Sequence, residues 1–240
     1  VYEKRTYRQE FCKRCNDLVG FEVCYYESDL FILMQVPLYK EAYNSLVTHH
    51  SIIRNYIDID PKFGNTFWAY SVPTSAPKII REMSEASVKT GVGPMAAVAG
   101  AISEAVGSDL SKYSEDVIIE NGGDIFVSTT KPRTIGILAG PSKLSGKLAI
   151  ELPAGKWGVC TSAGTVGHSV SMGKADACVV VGMPVALADA AATKIGNIIQ
   201  HEKDIPEGLE CAKVIDGVKG VVIIKNSQIG VCGNIKLLKI

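Results

Sequence analysis

The 240-residue sequence has no long apolar run, no surplus of either charge and few aromatic side chains. Its most apolar stretch, 175–199, is broken by Asp176, Pro184, Asp189 and Lys194, a pattern that a bilayer-spanning helix of about 20 residues does not tolerate. Basic and acidic residues number 25 each. The basic excess that binding to a phosphate backbone requires is therefore missing, and no nucleic acid is expected as a partner. The charged residues 1–14 contain no apolar core of a secretory signal. Seven cysteines fall at irregular spacing, an odd count that does not make a secreted disulfide framework. A cytoplasmic chain with reduced thiols and no membrane partner is expected.

What is present is an ordinary globular composition, 47% hydrophobic and 21% charged, in a chain long enough to bury a sizeable core. Residues 20–36 alternate apolar and polar side chains around Glu27-Ser28-Asp29, which predicts a β-hairpin. Helical spacing follows over 39–57, then an ordered loop over 60–75, and a second helix over 77–89 with Pro77 in its first turn. Pro94 opens a helix of small residues running to Val106. Short apolar runs at 116–120, 125–128, 134–138, 147–152, 157–161 and 178–181 predict strands, and 184–199 a further helix. The tail, 217–240, carries three short strands. Strand runs mixed with four helices predict α+β layers rather than regular βαβ alternation. Residues 1–240 read as one domain, or as two intertwined α+β lobes.

Five stretches carry chemistry. In Asn121-Gly122-Gly123-Asp124 the glycines let a ligand approach the backbone, and Asp124 can accept from hydroxyls or hold a cation. A hairpin turn stabilised by its aspartate is the alternative. The loop Thr161-Ser162-Ala163-Gly164-Thr165-Val166-Gly167-His168-Ser169 offers hydroxyls, backbone N–H groups and an imidazole to an anion or a proton transfer. Asp189 and Thr193, four apart on a helix, share a face and make a hard oxygen site for Mg2+ or Ca2+; an aspartate capping a neighbouring loop is the alternative. Gly91 and Gly93 lead into a helix N-terminus, where free N–H groups favour phosphate. Cys12 and Cys15 form a CxxC between basic residues, and Cys160 adjoins the polar loop; all three are redox or persulfide candidates.

In this order, the stretches 91–100, 120–125, 158–169 and 188–193 resemble the ApbE-like family, a group distantly related to the flavin transferase ApbE. The resemblance implies an ApbE-like (T-fold-like) fold of mixed sheets with packed helices. It further implies a Mg2+-dependent, FAD-using transferase that attaches FMN to threonine of target proteins. Carried over by motif, Gly122, Gly123 and Asp124 form the Gly-Gly-Asp segment, His168 assists proton movement at the acceptor hydroxyl, and Asp189 and Thr193 hold the metal. Where the transferases carry Gly-Gly-Ile-Ala-Lys-Gly, this chain reads Gly91-Val92-Gly93-Pro94-Met95-Ala96, without the lysine. Mg2+ thus follows from Asp189 and Thr193, whereas FAD or FMN loses its basic contact. The implied partner is a small polar or anionic ligand, and base rates favour a homo-oligomer. Two further readings stand beside this one: a sulfur-handling protein using Cys160 or Cys12 and Cys15, and a binding protein that kept the fold without the chemistry.

Overall fold

The computed structural model describes residue 8, residues 15–164 and residues 172–240. Eight strands form one antiparallel sheet in the order β1-β2-β3-β4-β7-β8-β9-β10. These are β1 Val19–Tyr25, β2 Ser28–Met34, β3 Val117–Asn121, β4 Asp124–Thr129, β7 Gly155–Ser162, β8 Ala177–Gly182, β9 Val218–Lys225 and β10 Gln228–Gly233. A second sheet joins β11 Lys236–Lys239, β6 Leu148–Leu152 and β5 Arg133–Ile137. The main helices among the described residues are α1 Tyr39–Ile59, α2 Pro61–Asn65, α3 Lys78–Thr90, α4 Val98–Leu110, α5 Val185–Ile198 and α6 Ile205–Lys213. The result is the expected α+β architecture of helices packed on sheets.

Side-chain alternation explains the layering. Leu30, Ile32, Met34, Val117, Ile119, Phe126, Val180, Val221 and Ile223 point toward the helices and share a core with them. Their neighbours Phe31, Leu33, Ile118, Val127, Val179, Val181, Val222 and Ile224 point the other way and pack on Ile135, Ile137, Ile150 and Leu152 of the small sheet. Because the large sheet is covered on both faces, its central strands read as unbroken apolar runs rather than alternating ones, and β2, β3, β4 and β8 are buried throughout.

Most expected elements are present within a residue or two. The hairpin turn falls on Tyr26 and Glu27, one residue earlier than read, with Tyr26 in the left-handed region at φ 50°. The small-residue helix begins as a 3-10 turn, Pro94–Ala97, before α4. The loop over 60–75 contains α2, and α6 was not anticipated at all. Its nine residues include Pro206 and Gly208, and the glycine weakens any helix reading. Gly208 nevertheless suits this packing, because a Cβ there would crowd the side-chain ends of Ile223 and Ile199 at 2.8 and 2.9 Å. Among the described residues no helix is long and apolar enough to cross a membrane.

One ion cluster ties the small sheet to the large one. The Arg133 guanidinium donates to both oxygens of Asp17 at 2.8 Å and to Asp116 at 3.3 Å. Burial pushes the Asp116 carboxyl up, but hydrogen bonds from Thr129 and Thr130 and from Arg133 outweigh it and hold the group below its ordinary value of 3.8. A carboxyl depressed by folding contributes stability above its unfolded value and loses it as pH falls through the folded one. Urea unfolding near pH 7 should show Arg133→Ala destabilised by about 3 kcal/mol, since Asp116 keeps its burial and loses its cation. That deficit should shrink as the pH is lowered below about 4.

Candidate functional site

The site lies where the helix face of the large sheet meets α4 and α5. Asp124 opens β4 directly across from Cys160 of β7, so both side chains leave the sheet on the same face. The Gly122-Gly123 turn that precedes Asp124 requires positive φ at both glycines, 68° and 105°. Its shape is set from below by Glu120, whose Oε1 accepts from the Gly123 N–H at 2.8 Å. Beside the turn, the Asn121 amide donates to the Ala99 carbonyl at 3.2 Å.

Asp189 arrives from α5. Its Oδ2 accepts from the Gly100 N–H in the first turn of α4 at 2.9 Å. The approach depends on the absence of a side chain, because a Cβ on Gly100 would lie 2.7 Å from the Val185 carbonyl oxygen and 2.9 Å from Asp189 Cβ. The start of α5 is fixed from the same side: Glu104 of α4 accepts from the Val185 N–H at 2.6 Å, supplying the cap that Pro184 cannot. Thr193, half-buried, follows Asp189 by one helical turn.

Among the described residues six acidic ones are buried: Asp29, Asp116, Glu120, Asp124, Asp176 and Asp189. Arg8 serves both Asp29 and Glu120, Arg133 serves Asp116, and Lys225 lies 3.7 Å from Asp176. Of these six, Asp124 and Asp189 alone have no basic partner among the described residues, and they are neighbours. Oδ1 of Asp124 is buried with no hydrogen-bond partner among these residues. Burial first, then the adjacent Asp189 charge, pushes the Asp124 carboxyl well up. Burial likewise raises Asp189 to about 7, against the lowering effect of the Gly100 and Ala99 backbone. Burial and both carboxylates push the Cys160 thiol up, so the thiol form, not a nucleophilic thiolate, is favoured.

The structure therefore brings together Asn121, Gly122, Gly123, Asp124, Cys160, Thr161 and Asp189. Gly91 and Gly93 have other tasks. Gly91 is the left-handed C-cap of α3, and Gly93 lies so close to the Thr66 carbonyl that any side chain would collide with it. The phosphate seat expected there is further reduced because Asp189 takes the Gly100 N–H. Ser162 packs on Gly196 of α5, and Gly164, Gly173 and Gly196 stack backbone on backbone. The Gly164 N–H donates to the Ala175 carbonyl at 2.9 Å and the Lys174 N–H to that of Ile199 at 2.7 Å. Thr165, His168 and Cys12 lie outside the described residues; Cys15 is buried. Glu104 and Glu120 were not anticipated as site supports. A glutamate ending the apolar run Val117-Ile118-Ile119 was the available signal for Glu120, because a carboxylate there must find buried partners.

A family profile described as AbpE bacteria matches residues 12–212. The chain belongs to this family. A UPF0280 protein of Methanococcus maripaludis is 39% identical over 220 residues, covering 88% of this chain and 89% of that one. A second, from Methanosarcina barkeri, is 40% identical over 206 residues, with 85% and 80% covered. Among solved structures, the chain is similar to the apo form of Pseudomonas stutzeri flavinyl transferase ApbE, with a TM-score of 0.59 at 11% identity, 90% of this chain and 93% of that one being covered. At that identity the likeness is one of fold.

Gly100→Ala tests the geometry directly. Alanine favours helix over glycine by about 1 kcal/mol, yet the clash should dominate. A net loss of about 1–3 kcal/mol is expected in chemical denaturation, and a gain in stability would show that the helices are not in this contact.

Proposed function

We propose that this family member binds a small, polar, anionic ligand of the nucleotide diphosphate type together with a divalent cation, Mg2+, and acts on it as a transferase. The observation that carries the reading is the pair of buried, adjacent carboxylates without a basic partner. Every other described buried acid has Arg8, Arg133 or Lys225 beside it; this pair leaves a demand for positive charge unmet.

The donor chemistry fits a hard cation. Asp189 and Thr193 would hold it from one face of α5, and Asp124 would face it from β4. No group of three or more His, Cys, Asp or Glu side chains among the described residues could hold a metal unaided. Ligand oxygens and water would have to complete the shell, as is usual for Mg2+ beside phosphates. The cation would supply charge neutralisation for a diphosphate. The chain's own contribution is orientation: Gly100 fixes Asp189, Glu104 fixes the start of α5, and the Gly122-Gly123 turn leaves the backbone open to the ligand. Thr161, Ser162, Gly164 and Thr165 would meet the anionic end, and His168 would take the proton of an acceptor hydroxyl. Flavin nucleotides are the first ligands to try, because the solved structures of similar fold are named as flavin transferases. A cytoplasmic homo-oligomer belongs to the same reading.

Titration with Mn2+, followed by loss of the free-ion electron paramagnetic resonance signal, should show binding to the wild-type protein. Asp189→Asn should weaken it by at least about tenfold, since even indirect metal supports are worth that much. FAD should bind more tightly in the presence of Mg2+ than in its absence. Unchanged free Mn2+ at millimolar concentration would overturn the cation, and no FAD binding with either ion would overturn a flavin ligand.

A further inference from the structure

The strand β10 ends the large sheet and, among the described residues, pairs only with β9. The Asn234 N–H donates to the Lys219 carbonyl at 2.9 Å, which fixes the phase of this ladder. Counting back by twos, Cys232, Gly230 and Gln228 turn their backbone groups toward β9, so those of Ile229 and Val231 point outward. The side chains divide in the same rhythm. Gly230 and Cys232 lie under α6: a Cβ on Gly230 would meet Ile205 and Leu209 at 2.3 and 3.0 Å, and the Cys232 sulfur is 3.8 Å from the Leu209 carbonyl oxygen. Ile229 and Val231 face the other way and are 39% and 41% exposed.

Proteins usually blunt such an edge with charge, proline or a bulge. The other edge strands of the two sheets carry charge: Glu22 in β1, Arg133 in β5, Lys236 and Lys239 in β11. β10 carries none. Residues 226–235 contain neither a charged side chain nor a proline, and the register with β9 is regular throughout.

We propose that β10 is a dimer interface, pairing antiparallel with β10 of a second copy across a two-fold axis at Gly230. In this register Ile229 of each copy lies opposite Val231 of the other, and the outward backbone groups exchange about four hydrogen bonds. The exposed β-branched side chains meet in cross-strand pairs, and the uncharged run 226–234 falls on itself, so no like charges face each other. An isologous contact needs a patch that complements itself, and this one does. The layer above the sheet agrees. With strands about 4.8 Å apart, α6, which covers β9 and β10, would lie about 10 Å from its copy, the spacing of packed helices. Leu209 is half-buried on the β10 side, Lys213 follows one turn later on that side, and Glu210 pairs with Lys213. The facing helix rims thus carry both signs. The proposal gives the homo-oligomer named above its interface and does not depend on the ligand.

Sedimentation equilibrium of the full chain should give twice the mass of one chain. Val231→Pro removes an N–H that β9 does not use, which an edge strand tolerates, and Ile229→Lys puts charge on the paired face; each should give a monomer. In the wild-type dimer the Ile229 and Val231 amides should exchange hydrogen at least about tenfold more slowly than in Ile229→Lys. A monomeric wild type overturns the interface and the homo-oligomer together. A dimer that survives both substitutions, or whose Ile229 and Val231 amides exchange as fast as solvent-exposed ones, overturns the interface alone. Should a variant fail to fold, the wild-type exchange of these two amides decides by itself.

Discussion

The contact of α4 with α5 at Gly100 is the constraint on which the candidate site depends. A hydrogen atom in place of a side chain lets the Val185 carbonyl and Asp189 Cβ come within van der Waals range of the α4 backbone. Only at that spacing can the Asp189 carboxylate take an N–H from the first turn of α4. The alanines that flank Asp189, all buried, fill the rest of the interface without pushing the helices apart. Glu104 then closes the contact from the other direction by capping α5. Close packing, rather than helix propensity, decides which residues stand at this junction.

The same fold handles buried charge in two ways. Where Arg8 and Arg133 are available, carboxylates are drawn into networks with several donors, and the cost of burial is offset locally. Among the described residues Asp124 and Asp189 have no such offset. Burial pushes both carboxyls up, and the Asp189 charge adds to the shift at Asp124, so ionising the pair without a cation is costly. An arrangement that expensive is understandable where positive charge is delivered from outside the chain, and strained, costly groups concentrate at functional sites for this reason.

Much of this was legible in the residues. Helical and strand periods located α1, α3, α5 and the strands, since each has a clear apolar rhythm or an unbroken apolar run bounded by turn residues. Asn121-Gly122-Gly123-Asp124 and the Asp189–Thr193 spacing marked residues that the fold does place at one junction or one turn away. The Gly91–Gly93 loop misled, because a glycine serving as a helix cap or as a point of backbone contact looks the same in sequence as one that cradles phosphate. The pairing of Asp124 with Cys160 was invisible, being a matter of strand register between segments 36 residues apart along the chain. Glu104 was hidden for a similar reason: on its own helix it is an ordinary polar position, and its task lies on another.

The stacked glycines 164, 173 and 196 limit what can stand at these three positions. A Cβ at Gly164 would lie 2.0 Å from the Gly173 carbonyl oxygen, and one at Gly173 would lie 1.8 Å from that of Gly196. Even alanine would force these main-chain segments apart, so tolerance to substitution ends here at a hydrogen atom.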